Sequence, residues 1–146
     1  MMNAIDKPIE QPLGRKLSHI GKDFLSLLHT NLKHIDLERN YYALLIIGNA
    51  NGNITQQELA TQLNSDKVSV VRIIDYLTEM GYVMRIEHEQ DRRKYCLTLT
   101  DKAQKVIYDI RDSIAKVNNQ AYSGLTEAQI QEFNNTLSVI QKNLKQ

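Results

Sequence analysis

The spacing of apolar residues predicts long amphipathic helices at both ends of the chain. Apolar residues recur in steps of three and four through residues 13–35, and the same spacing returns in residues 103–121 and 130–144. Stripes of this kind are typical of helices that pack against a helical partner. A dense apolar run at residues 44–47 predicts a further helix that is buried on most sides. The first eleven or so residues have no such period and are predicted to form a loose arm.

Capping signals mark where the C-terminal helices begin. Thr100 precedes one stripe, and its hydroxyl can accept a backbone N–H that the helix leaves unpaired. Gly124 interrupts this stripe, and residues 126–129, Thr-Glu-Ala-Gln, form a capping box ahead of the last helix. We expect the terminal helices to pack on each other across a two-fold axis. A monomer that folds these helices back on itself is the alternative.

Two short helices are predicted in the middle of the chain. Residues 55–58, Thr-Gln-Gln-Glu, form a capping box in which the hydroxyl and the carboxylate each pair with a free backbone N–H. Ser65 or Asp66 can begin the second helix, and Gly81 can end it in a left-handed conformation. The apolar stripe of this second helix marks one buried face and consists of Val70, Ile73, Ile74, Leu77 and Met80.

The pattern changes to that of a β-hairpin beyond this helix. Residues 82–86 are typical of a strand of mixed burial, and residues 87–92 are polar and form a loop. The next strand alternates as a half-buried strand does, with Tyr95, Leu97 and Leu99 on one side and Cys96 and Thr98 on the other. The order helix, turn, helix, hairpin is that of a winged helix-turn-helix, whose second helix enters the major groove of DNA.

Two stretches of this segment resemble a known family. Residues 66–83 are similar to the recognition helix of MarR/SlyA family winged helix-turn-helix transcriptional regulators. The Asp-Arg-Arg motif at residues 91–93, with Leu-Thr-Leu-Thr at residues 97–100, resembles the most specific motif of that family, its wing. The sequence departs from the pattern at Val68, where a small polar residue or Pro is common, and at Thr78, where Glu is common.

This resemblance covers nearly the whole chain and implies a fold and a function. The fold is mainly α, a single domain over residues 1–146 that contains a winged helix-turn-helix with a small β-hairpin wing. Residues 12–37 and 101–146 would be dimerisation helices, and residues 39–100 the winged helix-turn-helix region. The implied function is that of a homodimeric, sequence-specific, DNA-binding transcriptional regulator. We expect it to repress from a palindromic operator and to be released by a small ligand.

The predicted DNA contacts lie on the outer face of the second helix, at the start of the first, and in the wing. By resemblance, Arg72 reads a base edge, and the bidentate pairing of Arg with guanine gives that role its chemistry. The wing Arg92 would enter the minor groove, where a narrow A·T-rich segment has a stronger negative potential. Arg93 would pair with Asp91 or with a phosphate. The full set is Thr55, Gln56, Ser65, Lys67, Val68, Ser69, Val71, Arg72, Asp91, Arg92 and Arg93.

The remaining members of this set have simpler expected roles. Val68 and Val71 could touch thymine methyl groups. Ser65 and Ser69 could donate to phosphates, helped by the helix dipole. At the start of the preceding helix, Thr55 and Gln56 would hold the DNA backbone. A solvated hairpin tip, without DNA contacts, is the alternative for the wing arginines.

A small aromatic ligand is a further implication of the resemblance, since family members bind such acids between the dimerisation helices and the DNA-binding head. The residues expected there are Phe24, Asn40, Tyr41, Tyr42 and Tyr76. Aromatic rings with a polar tip suit such a crevice, but they are also ordinary residues at the edge of a core.

The charges neither favour nor exclude a nucleic-acid partner. The formal net charge is +1. Within residues 54–100 the acidic side chains slightly outnumber the basic ones; the basic set is Lys67, Arg72, Arg85, Arg92, Arg93 and Lys94, and the acidic set is Glu58, Asp66, Asp75, Glu79, Glu87, Glu89 and Asp91. Because local placement decides phosphate contacts, DNA binding remains the prediction, with a shallow salt dependence. The acidic balance favours the alternative, a winged-helix protein-interaction module.

Other chemistry finds little support in the sequence. The chain has no Gly-rich phosphate loop and no nucleophile motif, so we expect no enzyme and no cofactor. No two of the four histidines are spaced for a shared metal on one helix face, and no metal is predicted. The single cysteine, Cys96, suits a reducing cytoplasm and is expected to be a small buried residue. No apolar run is long enough to cross a membrane, and the N-terminus is unlike a signal peptide.

Overall fold

The computed structural model describes residues 12–145, and the predicted N-terminal arm lies outside this range. Within it the chain is mainly α-helical, with a small antiparallel sheet, as the sequence predicts. The elements in chain order are α1 (Leu13–Asn31), α2 (Tyr41–Ala50), β1 (Ile54–Thr55), α3 (Gln56–Leu63), α4 (Lys67–Glu79), β2 (Val83–Glu87), β3 (Tyr95–Leu99), α5 (Asp101–Ala121) and α6 (Glu127–Leu144).

The capping signals place the helix starts where the sequence predicts them. Thr55 and Thr126 each form a complete capping box, at the starts of α3 and α6. Asp66 caps α4 by accepting the backbone N–H of Ser69 at 2.8 Å. Thr100 caps α5 by accepting the backbone N–H of Ala103. These contacts act within four residues of one another, which is why the sequence alone locates them.

The sheet has three strands in the order β1-β3-β2, where the sequence predicts a two-stranded hairpin. Ile54 of β1 lies opposite Leu97 of β3, and Val83 of β2 lies opposite Leu99. β1 escaped prediction because a strand of two residues has no period to detect. It nevertheless anchors β3 to the start of α3.

Burial along β3 differs from the expected alternation. Leu97 and Leu99 are buried as predicted, but Tyr95 is 56% exposed and Cys96 is only 4% exposed. Tyr95 lies opposite Glu87 at the outer end of the ladder, beyond the edge of the core. Cys96 is covered on the outer face of the sheet because its neighbours across the ladders are Ile86 and Thr55.

The first helix is shorter than its apolar spacing predicts. α1 ends at Asn31, and the chain turns between this helix and α2. Leu32, Ile35 and Leu37 keep a helix-like spacing and are buried, but they enter the core from turns. In the same connection, Glu38 and Arg39 both have positive φ, at 45° and 72°. Two successive non-Gly residues in this region are strained, and surrounding packing must hold them there.

A single core joins the turn after α1 to the sheet and to α5. It includes Tyr41, Leu44 and Ile47 of α2, together with Ile107 and Ile110 of α5. Gly48 lets α2 approach β3 closely, since a Cβ there would stand 3.0 Å from a methyl group of Leu99. By contrast, no residue of α6 is buried. The last helix therefore has an apolar side that the rest of the domain covers only in part.

Candidate nucleic-acid interface

The recognition helix α4 turns its apolar stripe towards the core, as the sequence predicts. Val70, Ile74 and Leu77 are buried in the core. Arg72 lies on the opposite, exposed side, and Val68 is 62% exposed. Lys67 is exposed and Val71 is half-buried on the same helix. A guanidinium group and two branched apolar side chains are thus available to a DNA groove, with the rest of the helix anchored behind them.

The N-terminus of α4 is capped by the carboxylate of Asp66. Asp66 accepts the backbone N–H of Ser69 at 2.8 Å and its hydroxyl at 2.6 Å. The side-chain bond and then the backbone bond from Ser69 hold the pKa of Asp66 below its ordinary value. The hydroxyl hydrogen of Ser69 is therefore engaged in the free protein, so a phosphate there would have to displace Asp66. Half-buried Ser65 immediately precedes this cap.

The start of α3 lies between the recognition helix and the wing. Gln56 and Lys67 line a cleft of about 400 Å³. Thr55 and Gln56 line a second cleft, of about 190 Å³, with Lys94 and Tyr95 of the wing. The fold thus brings together the first helix of the motif, the recognition helix and the base of the wing. Lys94 and Tyr95 were not among the predicted contacts, although Lys94 directly follows the Asp-Arg-Arg motif.

The carboxylate of Glu58 affects the charge of this region. The backbone N–H and the hydroxyl of Thr55 lower the pKa of Glu58, and the charges of His88 and Lys94 lower it further. This carboxylate therefore stays ionised near the base of the wing. It offsets part of the positive charge of Lys94, so the exposed charge of the wing is concentrated at its tip.

The wing tip is built by a turn rather than by an ion pair. The backbone N–H of Arg93 donates to Oδ1 of Asp91 at 3.0 Å, as in an Asx turn. The expected pairing of Arg93 with Asp91 is thus made through the main chain. The ion pairs of Lys and Arg side chains within residues 12–145 are Arg85–Asp75 and Lys116–Asp112. In that part of the chain, the exposed guanidinium groups of Arg92 and Arg93 have no carboxylate partner.

An ion pair that the sequence did not reveal joins the wing to the recognition helix. Nη2 of Arg85, on β2, lies 2.9 Å from Oδ1 of Asp75, on α4. The two residues are ten positions apart and belong to elements with different periods, so no local pattern pairs them. Asp75 is exposed on the same helix as Arg72, one turn further along.

The five expected ligand residues have different surroundings. Tyr41 is fully buried, and its hydroxyl lies 2.9 Å from Nδ1 of His29. Tyr42 is 42% exposed, whereas Phe24 and Asn40 are half-buried. Burial raises the pKa values of Tyr41 and Tyr42. Tyr41 is thus a core residue with a satisfied hydroxyl, and Tyr42 is the more accessible of the two.

Tyr76 connects the recognition helix to the turn that follows α1. Its hydroxyl lies 3.2 Å from Oδ1 and 3.3 Å from the carbonyl oxygen of Asp36. Burial, and then the charge of and hydrogen bond with Asp36, raise the pKa of Tyr76 to about 12. The hydroxyl therefore keeps its proton and serves as a donor throughout the physiological range.

Other candidate chemistry is sparse in the described part of the chain. Cys96 is buried, as predicted. Across residues 12–145, no group of three or more His, Cys, Asp or Glu side chains is arranged to hold a metal ion. Over the same range, no helix combines the length and the apolar character that crossing a bilayer requires.

Comparison with known proteins shows similarity to one family of transcriptional regulators. A model of the MarR family matches residues 37–95. The HTH-type transcriptional regulator BilQ of Clostridioides difficile is 27% identical over 124 residues, which cover 85% of this chain and 84% of BilQ. The crystal structure of the transcriptional regulator SlyA superimposes with a TM-score of 0.85 at 24% identity, over 92% of this chain and 94% of that one.

A second solved structure has the same fold. It is a MarR family transcriptional regulator from Listeria monocytogenes complexed with 26mer DNA, with a TM-score of 0.84 at 23% identity over 92% of this chain and 90% of its own. The match of the MarR model falls on the segment from the turn after α1 to the wing, where Arg72, Arg92 and Arg93 are exposed. The segment that contains Arg72, Arg92 and Arg93 is thus similar to that of MarR family transcriptional regulators.

Proposed function

We propose that this protein is a homodimeric repressor that recognises a palindromic DNA operator. The observation that carries the proposal is the exposure of Arg72 on α4 together with the unpaired guanidinium groups of Arg92 and Arg93 at the wing tip. The start of α3 lies between them, as a clamp on the intervening DNA backbone requires. The Listeria relative, complexed with DNA, supports the assignment through the shared fold.

The positions of individual charges bear more on DNA binding than the slight excess of acidic residues in the domain. Of the carboxylates near the interface, Asp66 caps its own helix, Glu58 closes a capping box, and Asp75 is paired with Arg85. Each is thus occupied by a donor of the protein, while Arg72 and Arg92 project from exposed positions. Hydrogen bonding fixes the positions of these carboxylates but leaves them charged, so the case for DNA binding depends on where Arg72 and Arg92 are exposed and not on the net charge.

Dimerisation follows from the uncovered helix at the C-terminal end. Leu17 of α1 and Leu137, Ile140 and Leu144 of α6 line an open apolar groove. A second copy of the chain would cover this surface and set two recognition helices about a two-fold axis. Such helices meet successive major grooves when they stand about 34–36 Å apart. Repression would result where the bound dimer occludes a promoter. The protein would act in the cytoplasm.

Release by a small aromatic acid is the accompanying proposal for regulation. The exposed ring of Tyr42 and the half-buried ring of Phe24 lie on the two helices that precede the DNA-binding head. A ligand that packs between them would alter the position of the head relative to α1. Titration of the protein–operator complex with phenolic acids, followed by anisotropy of labelled DNA, tests this. Unchanged DNA occupancy, with no heat of binding in calorimetry, would contradict it for those compounds.

Selection of bound sequences from random duplex DNA is the decisive experiment for the DNA assignment. We expect enrichment of an inverted repeat whose half-sites are centred about 10–10.5 base pairs apart. Enrichment of a single asymmetric half-site would contradict the dimeric arrangement. Binding without any sequence preference, abolished by modest added salt, would favour a winged-helix protein-interaction module instead.

A further inference from the structure

The outer part of the wing has one polar side-chain tie to the rest of the domain. In residues 12–145, the hydrogen bond from Arg85 to Asp75 is the one side-chain hydrogen bond that links residues 84–94 to another element. The side chains of residues 84–87 are exposed, so apolar burial does little to fix this part of β2. The ion pair therefore gives this part of β2 an attachment to α4 that side-chain packing does not provide.

The two strands of the wing are anchored differently. β3 is paired with β1 on one side, and its Leu97 and Leu99 are buried. β2 is an edge strand with a single buried residue, Val83. Just before it, the backbone N–H of Tyr82 donates to the carbonyl of Leu77 at 2.9 Å, which fixes the base of the strand to α4. Arg85 provides a second fixed point, two residues beyond Val83.

A second fixed point determines the direction in which the wing projects. β2 and β3 stay paired out to Glu87 and Tyr95, and the tip with Arg92 follows immediately. A change in the tilt of β2 against α4 is therefore transmitted to the tip. Asp75 lies on the same helix as Arg72. The ion pair therefore fixes the position of the wing tip, which makes the minor-groove contact, relative to the helix that makes the major-groove contact.

The ion pair between Arg85 and Asp75 also changes the electrostatic field around the recognition helix. An unpaired carboxylate at Asp75, one turn beyond Arg72, would repel the DNA backbone. Arg85 holds a positive charge 2.9 Å from it. The ion pair thus combines a geometric effect with an electrostatic one, and an experiment has to separate the two.

We propose that Arg85 is a positioning residue for operator binding: through Asp75 it holds the wing at the tilt that lets Arg92 and Arg72 occupy adjacent grooves together. This inference rests on the proposed DNA-binding function. It assigns to Arg85 and Asp75 a role in relating two contacts, without requiring either side chain to touch a base.

A double-mutant cycle on the full-length protein and its selected operator tests the geometric role. Arg85→Gln is expected to weaken operator binding about 5- to 20-fold, which corresponds to about 1–2 kcal/mol. Arg92→Ala should cost about 10-fold in the wild-type background and less than about 3-fold in the Arg85→Gln background, because the wing no longer reaches its groove. Full additivity of the two losses would overturn the proposal, since Arg85 would then act independently of the wing tip.

The double variant Asp75→Asn/Arg85→Gln separates tethering from charge masking. It removes both charges and the ion pair, so a purely electrostatic role for Arg85 predicts wild-type affinity. Tethering predicts that binding stays weak and that Arg92→Ala still adds little. Minor-groove protection in a hydroxyl-radical footprint should fade while major-groove protection persists. Wild-type affinity of this double variant would overturn the tethering role.

Two controls distinguish this inference from the function on which it rests. Circular dichroism and thermal unfolding should show that Arg85→Gln keeps the wild-type fold, because the pair is exposed to solvent. If wild-type protein selects an operator and Arg85→Gln binds it equally well, only the role of Arg85 fails. If wild-type protein selects no sequence, the proposed function fails, and this inference fails with it.

Discussion

Arg72 and Arg92 are available to bind a partner because the carboxylates near them are engaged by other groups of the protein. Two nearby carboxylates that could have neutralised them, Asp75 and Asp91, are engaged by Arg85 and by the main chain of Arg93. An arginine without a protein partner keeps all of its donors for a base edge or a phosphate. The availability of these two side chains thus depends on how the neighbouring carboxylates are paired.

Replacement of Arg72 by Ala should reduce operator affinity about 10- to 100-fold and relax the preference at one base pair of each half-site. The reason is that a bidentate pair between Arg and guanine contributes about 1–3 kcal/mol of discrimination. Fluorescence anisotropy with operators substituted one position at a time measures both effects. Lys116→Ala removes one positive charge from α5 and is the control. Equal losses for the two variants, uniform across all operators, would show that Arg72 contributes charge only.

Tyr76 makes the stability of the fold depend on alkaline pH. Its pKa is raised from 10.0 to about 12 in the folded protein, so between these values the folded chain binds a proton that the unfolded chain has lost. The stabilisation is complete below pH 10 and is lost as the pH rises towards 12. In urea unfolding, Tyr76→Phe should show a smaller decline in the free energy of unfolding from pH 10 to 11 than the wild type. Tyr108→Phe, at an exposed position, should follow the wild type; a wild-type decline in Tyr76→Phe would contradict the assignment.

Among the secondary-structure elements, the start of α5 holds the end of the recognition helix. The hydroxyl of Thr100 donates to the carbonyl of Gly81 while accepting the backbone N–H of Ala103. The ammonium group of Lys102 donates to the carbonyl of Met80 at 2.6 Å and lies over the ring of Tyr82. Gly81 has a φ of 78°, which allows the chain to turn between these contacts. The end of α4 is therefore fastened to the start of α5.

Thr100→Ala should lower the free energy of unfolding by about 1–2 kcal/mol, because it removes an N-cap and leaves the carbonyl of Gly81 without its donor. Urea denaturation monitored by circular dichroism gives the value. The matched control is Thr136→Ala on exposed α6, where the hydroxyl bonds only to the carbonyl four residues earlier. That change should stay within about 0.5 kcal/mol. A similar loss in both variants would contradict a specific role for the contact at Gly81, because Ala has the higher helix propensity and the loss would then follow from removing any threonine hydroxyl.

The elements divide into those the sequence could locate and those it could not. Helix starts were predictable at Thr55, Thr100 and Thr126 because a cap and its partner are neighbours in the chain. The strand at Ile54 and the pair between Arg85 and Asp75 were not, because each depends on where a distant segment folds. The exposed face of α4 belongs to the first group, and the wing's orientation to the second.

In the molecule as a whole, α6 is a helix whose apolar side stays largely exposed in the single chain. Phe133 is 45% exposed and Leu144 is 77% exposed, although both lie on the apolar side of that helix. Burying this side against a second copy would remove a large apolar surface from water, which favours association. The spacing of apolar residues predicts such a partner, but no pattern within one chain reveals the angle at which two chains meet.

Phe133→Asp should convert the dimer to monomer, because it would place a carboxylate in the apolar interface. Analytical ultracentrifugation should show a dimer dissociation constant at least about tenfold higher, with a matching loss of operator affinity as the two half-sites become uncoupled. Asn135→Asp introduces the same charge on the opposite side of α6 and should leave the dimer intact. Dissociation by both substitutions, or by neither, would place the interface elsewhere.

The burial of Cys96 gives this protein an internal reporter. It is the only thiol in the sequence, it lies opposite Ile86 in the sheet, and it lines a cleft together with Ile86 and Gly52. Because only 4% of this residue is exposed, a thiol reagent should react with it slowly, and the rate of labelling should rise when the cleft widens. Because no engineered label is needed, the same measurement compares free and operator-bound protein without altering either.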